Sequence, residues 1–194
     1  MDSKAVFDAE IGEQYGIIKG STITVFIKAG RGGSIYGRGN KYLDIARQIN
    51  LQKGYTVIIS ANPPESESRL VEEIAFLREN GFALEEIYYV GMSNGANIGA
   101  RFGYLIPEIS RMLLINGPLM INWPQIKHGI ESFQGSQALM VYGEKDPSFS
   151  YFGLLELIKN PCFQNQLLTD IDHNFTNHDE DFKQLIINFV TSEE

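Results

Sequence analysis

The chain has 194 residues and a mass of 21.8 kDa, with 43% hydrophobic and 21% charged residues. That is ordinary for a globular protein and long enough to bury a full core. A formal charge of −8 and a pI near 4.9 argue against a nucleic-acid partner, which needs a basic face.

The first residues, MDSKAVFDAEIG, lack the basic start and apolar run of a signal peptide, and no stretch approaches the ~18 apolar residues that span a bilayer. The first 20 residues read as a separate hairpin, with GIIKGSTITVF placing its turn at Lys19–Ser21. A strand at 22–27 (TITVFI) follows, then a glycine-rich loop within 28–40 and a weak helical pattern over 40–50. Strand 55–60 (YTVIIS) leads to ESRLVEEIAFLREN, where Leu70, Val71, Ile74, Leu77 and Arg78 recur at helical spacing with Glu72, Glu73 and Glu79 turned outward. Strand 86–91 (EIYYVG) runs into SNGANIGARFGYL, a helix rich in small residues.

Strand 112–116 (MLLIN) is followed by GPLMINWPQIKHGIESFQGSQ, with a weak helix at 122–134. After strand 138–143 (ALMVYG) comes GEKDP and a weak helix at 149–159. The single cysteine, Cys162, excludes an internal disulfide, suits a reducing compartment and is expected to be structural. Strand 166–171 (QLLTDI) precedes DHNFTNHDE. The chain closes on DEDFKQLIINFV, whose stripe is Phe182, Leu185, Ile186, Phe189 and Val190. Short, nearly continuous apolar strands alternating with helices predict an α/β fold with a mostly parallel central sheet and helices on both faces. No linker or repeat interrupts it, so one domain over 1–194 is expected, soluble and cytoplasmic.

Gly91-Met92-Ser93-Asn94-Gly95 lies between a buried strand and a helix. That placement has the form of a nucleophile elbow, in which the chain folds sharply around a strained serine and its flanking residues need glycine. Glycine-rich turns also occur without catalysis, so the reading depends on partners. A serine hydroxyl needs a base to take its proton and a carboxylate to orient that base. Of three histidines, His128 lies away from any strand end and His178 falls in the first turn of the last helix. His173 follows the last strand, where a base would reach Ser93. Asp146 in GEKDP is the acid candidate, with Glu144 a weaker alternative and Asp172 awkwardly adjacent to His173. Ser93, Asp146 and His173 occur in the chain order expected for this sheet architecture.

An oxyanion is expected to be held by two backbone amides, that of Asn94 and one from the loop Gly30-Arg31-Gly32-Gly33-Ser34, for which Arg31 N–H is chosen. Gly30 and Gly32 would then line the substrate. The same loop fails as a dinucleotide fingerprint, with Ile35 where glycine is required, and as a phosphate loop, with Arg38 and Gly39 where Lys and Ser/Thr are required.

With these residues the chain resembles the α/β-hydrolase superfamily, and GMSNGANIGARF resembles small bacterial carboxylesterases of the phospholipase/carboxylesterase and dienelactone-hydrolase-like group. The resemblance implies nucleophile Ser93, acid Asp146 and base His173, with Ala29 standing where that family usually has histidine. Larger relatives insert a cap after the fourth of these long strands; here the short insert predicts a minimal or absent one. Met120, Ile121 and Trp123 would line the substrate there or serve as core contacts.

Arg31, Arg38 and Lys41 would attract an anionic acyl group or simply stay solvated. The function expected is cleavage of a small ester or thioester, with a binding scaffold of weak or no turnover as the alternative. The expected partner is the small-molecule substrate, with no cofactor, no metal, no nucleic acid and no membrane span, and a homodimer left open.

Overall fold

In a computed structural model the structure describes residues 6–64 and 69–192. Residues 1–5, at the head of the MDSKAVFDAEIG stretch, and the start of the helical pattern at Glu67 and Ser68 lie outside the described residues.

The chain builds an eight-stranded sheet in the order β1-β2-β4-β3-β5-β6-β7-β8. Its strands are β1 (Ala9–Ile11), β2 (Tyr15–Ile18), β3 (Ile23–Lys28), β4 (Thr56–Ser60), β5 (Glu86–Met92), β6 (Ile109–Ile115), β7 (Gln137–Gly143) and β8 (Phe163–Leu168). From β4 through β3 to β8 every neighbouring pair is parallel, while β2 runs against β4 and β1 against β2. β4 is buried at every position and β5 at every one but its first, as parallel strands covered on both faces must be.

The helices are α1 (Lys41–Lys53), α2 (Leu70–Glu79), α3 (Asn94–Phe102), α4 (Trp123–Ser132) and α5 (Asp179–Thr191). Leu43, Ile45 and Ile49 of α1 join Phe182, Ile186 and Val190 of α5 on one face of the sheet. Leu70, Ile74, Leu77, Ile98, Ile126 and Ile130 from α2, α3 and α4 cover the other. Residues 149–159 lie largely in a 3-10 helix, Pro147–Leu157, rather than an α-helix.

Three expectations are corrected. The hairpin turn falls at residues 12–14, between β1 and β2, not at Lys19–Ser21. The latter carries the chain from β2 past the amino end of β4 to β3. Gly20 N–H donates to Thr56 Oγ1 (3.0 Å) and Ser21 N–H to the Gly54 carbonyl (2.7 Å), so the turn is bound to β4 and not closed on itself. The last strand starts three residues earlier than its apolar run suggests, because β8 is an edge strand with Gln164, Asn165 and Gln166 exposed. On α2, Val71 and Arg78 are exposed and Glu73 is buried, since Glu73 meets Lys28 beneath the sheet's carboxyl end.

The order of the strands places the site. From β3 the chain crosses to β4 on one side, and β5 then pairs with β3 on the other. The loops leaving β3 and β5 therefore meet at the carboxyl ends where the strand order reverses, the usual place for a ligand site in such a sheet.

Candidate active site

Ser93 follows β5 and caps α3 with φ 54° and ψ −116°, a conformation that non-glycine residues rarely adopt. Its N–H donates to the Ile115 carbonyl (2.8 Å) and its carbonyl accepts from Asn97 N–H (3.1 Å), so β6 and α3 hold the strained turn. The turn closes only with glycine on either side. A Cβ at Gly91 would lie 2.6 Å from the Ala96 nitrogen, and one at Gly95 would lie 2.8 Å from the Ala29 carbonyl oxygen.

His173 lies in the loop between β8 and α5, 80 positions from Ser93, and its Nε2 stands 2.9 Å from Ser93 Oγ. Its Nδ1 stands 2.5 Å from Asp146 Oδ2. The Asp146 side chain is fully buried, whereas the imidazole is about one-third exposed. Asp146 Oδ1 accepts Ser148 N–H at 2.6 Å, which fixes the carboxylate as the cap of the following turn. The hydrogen bond that His173 donates to Asp146 holds the imidazole above its usual range, against the opposing pull of partial burial.

The alternatives point elsewhere. Glu144 accepts Asp170 N–H. Asp172 Oδ1 accepts the N–H groups of Asn174 (3.0 Å) and Thr176 (2.9 Å), shaping the loop that carries His173. His128 is exposed against the Tyr104 ring, and His178 bonds Asp181 at the start of α5.

The chain after β3 makes a tight turn in which Gly33 N–H donates to the Gly30 carbonyl (2.8 Å), with Gly32 at φ 77°. Gly30 packs directly against Ser93. The amides of Arg31, in this turn, and of Asn94, first in α3, have no hydrogen-bond partner among the described residues. Both are available to an acceptor, and the α3 amino end adds its positive partial charge.

Trp123 is half-buried and packs on the apolar cluster beneath α4, while Met120 and Ile121 beside it are exposed. The loop cations are spoken for: Arg38 pairs with Asp179 (3.1 Å), Lys41 lies 4.1 Å over the Phe182 ring, and Arg31 donates to the Pro64 carbonyl. Among the described residues no group of three His, Cys, Asp or Glu side chains is arranged to hold a metal ion. No helix there is long and apolar enough to cross a membrane.

Sequence reasoning passed over three buried polar groups that support these loops. Asn116, at the end of β6, donates through Nδ2 to the carbonyls of Asp172 (3.2 Å) and His173 (3.1 Å) and accepts Gly143 N–H at 2.9 Å. Asn62, just after β4, holds the Gly30–Gly33 turn. Lys28, at the end of β3, reaches Glu73, Ser60 Oγ (2.9 Å) and the Ala61 carbonyl (2.9 Å). Burial pulls its amine below the usual lysine range, with Glu73 pulling the other way. The signal in each case is a polar residue at the carboxyl end of an otherwise apolar strand.

No family model matches the sequence, and no curated protein matches it. Solved structures do match in shape. Est1E from Butyrivibrio proteoclasticus superposes with a TM-score of 0.70 at 10% identity, covering 90% of this chain and 91% of that one. An α/β serine hydrolase without lid from Xanthomonas campestris gives 0.65 at 15% identity, over 91% and 86%. A monoacylglycerol lipase from Paleococcus ferrophilus gives 0.67 at 13% identity, over 91% and 97%. The chain has the α/β-hydrolase fold.

Proposed function

We propose that this chain is a serine hydrolase that cleaves a small carboxylic ester or thioester through an acyl-enzyme on Ser93. The observation that carries the reading is the continuous hydrogen-bonded line from Ser93 Oγ through His173 to the buried Asp146, at 2.9 and 2.5 Å. The naming of structural neighbours as an α/β serine hydrolase and a monoacylglycerol lipase supports ester chemistry on this fold.

Ser93 Oγ attacks the substrate carbonyl carbon as His173 Nε2 takes the hydroxyl proton. Asp146 accepts the Nδ1–H of His173, holding the tautomer whose Nε2 is a base and stabilising the imidazolium that forms. The carbonyl oxygen becomes an oxyanion held by the N–H groups of Arg31 and Asn94, each such donor worth about 3 kcal/mol at the transition state. When the tetrahedral species collapses, the imidazolium returns its proton to the departing alkoxide or thiolate. Water then repeats the sequence on the acyl carbon, its proton passing to Nε2 and onward to Ser93 Oγ as the acid leaves. Every step uses side chains and amides of the chain itself. The reading places the enzyme in a reducing cytoplasm, where its half-buried single cysteine, Cys162, stays a thiol.

Fluorophosphonate labelling of wild type and Ser93→Ala, beside hydrolysis of p-nitrophenyl esters of varied chain length and charge, tests it. Est1E has been solved with ferulic acid bound, which adds an ester of that acid to the panel. Rapid labelling lost in Ser93→Ala is the expected result. Equal, slow labelling of both proteins would leave the fold serving as a binding scaffold.

A further inference from the structure

We propose that Asn62 is the positioning residue that sets the spacing of the two oxyanion donors, Arg31 N–H and Asn94 N–H; this rests on the serine-hydrolase reading above. Asn62 is only 1% exposed and sits where β4 ends, between the two loops that carry the donors. Its Nδ2 donates to the Ala29 carbonyl at 3.1 Å and to Asn94 Oδ1 at 3.0 Å. The Ala29 carbonyl can only accept, which fixes the amide orientation of Asn62 and then that of Asn94. The Asn62 main chain completes the grip, donating to the Gly33 carbonyl (2.9 Å) and accepting Gly32 N–H (2.6 Å).

Asn62 thus holds the chain on both sides of Arg31 and, through the same NH2 group, the side chain of Asn94. Its own position is set from below, because Lys28 Nζ donates to the carbonyl of the preceding residue, Ala61. The loop cannot be braced from position 29 instead. Ala29 is fully buried and carries no polar side-chain atom, and its methyl group lies close against Gly33, where an added Cβ would stand 2.8 Å from it. Two donors serve an oxyanion only when both are aimed before it forms. A single side chain spanning them makes that aim a property of the resting protein.

The test compares Asn62→Asp, which keeps size but cannot donate, and Asn94→Ala, which removes the same hydrogen bond from a half-exposed position. Steady-state kinetics on p-nitrophenyl acetate are read beside the affinity for an alkyl trifluoromethyl ketone, whose hemiketal oxygen occupies the oxyanion position. Both variants are expected to lose about 10–100-fold in kcat with KM changed less than about threefold, and to lose ketone affinity in parallel. The acid limb of the pH profile, set by His173, stays in place. Should Asn62→Asp fail to fold, Asn94→Ala carries the same expectation alone.

A kcat within about twofold of wild type in the folded variants overturns the proposal. So does a loss shared equally by KM, or a shift of the acid limb. Ser93→Ala is the separate control: turnover at the wild-type rate in that protein overturns the serine reading itself, and the clamp with it.

Discussion

Gly30 lies against Ser93 so closely that a Cβ at position 30 would meet Ser93 Cβ at 3.2 Å, with Ser93 Oγ at 3.8 Å and the Met92 carbonyl oxygen at 3.4 Å. The loop after β3 and the turn after β5 therefore share one surface, and a methyl group between them must move one or the other. Gly30→Ala is expected to lower kcat about tenfold by displacing the loop or the nucleophile. Its melting temperature should stay close to that of wild type, since an exposed loop can yield by a few tenths of an ångström. Unchanged kinetics would mean that the loop is softer than its hydrogen bonds to Asn62 suggest.

The pH dependence of activity and that of stability should run in opposite directions. His173 must be neutral to act as base, and Asp146 raises its pKa in the folded state. Activity should therefore fall as pH drops through a value above about 6.5, the usual histidine midpoint. The protonated His173–Asp146 pair stabilises the fold fully below the unfolded-state value and is lost as pH rises through the raised folded one. Asp146→Asn should lower kcat by about three to four orders of magnitude. The gap in melting temperature between that variant and wild type should narrow as pH rises across the same interval. A gap that widens there would contradict the assignment of the shift to Asp146.

The elbow has no slack at Gly91. The obstacles to a Cβ there are backbone atoms, the Ala96 nitrogen and the Gly95 carbonyl, at 2.6 Å, and backbone inside a helix start cannot rotate away. Gly91→Ala should cost about 1–3 kcal/mol or more in a denaturant melt, beyond any loss of activity. A variant as stable as wild type would show that α3 can shift along β6.

The Lys28–Glu73 pair is buried at 1% and 9% side-chain exposure. Removing one partner of such a pair costs about 3–5 kcal/mol, while replacing both with apolar groups of similar size costs far less. Lys28→Met should destabilise strongly, and Lys28→Met with Glu73→Leu should recover much of the loss. A double variant no better than the single one would assign the cost to Ser60 and the Ala61 carbonyl, which Lys28 also serves.

What could be read from the sequence divides by chemistry. That Ser93, Asp146 and His173 would meet was legible because the chemistry expected of them confines each residue type to a strand end in a fixed chain order. The sheet was legible because strands covered on both faces must be apolar throughout, which is also why β8, an exposed edge, was misplaced. Glu73 was misread because helical periodicity assigns charges outward and contains no knowledge of Lys28 arriving from another strand. Asn62 and Asn116 left only a faint trace, a polar residue just past an apolar strand, since a buried asparagine that ties loops together looks in sequence like any turn residue. The departure at Ala29 was visible. The hydrogen bonds that hold the same loop from β4 through Asn62 were not.

The segment between β6 and β7 is short and fastened on its inner side. Asn97 Nδ2 holds the carbonyls of Pro118 (3.3 Å) and Ile121 (3.0 Å), and Gly129 of α4 lies directly on the Ala100 carbonyl of α3. If Ser93 carries an acyl group as proposed, a cover tied to α3 in this way would let substrate and bulk solvent arrive by the same door. An acyl group on Ser93 would then meet water as readily as any other acceptor, and the outcome would be set by supply.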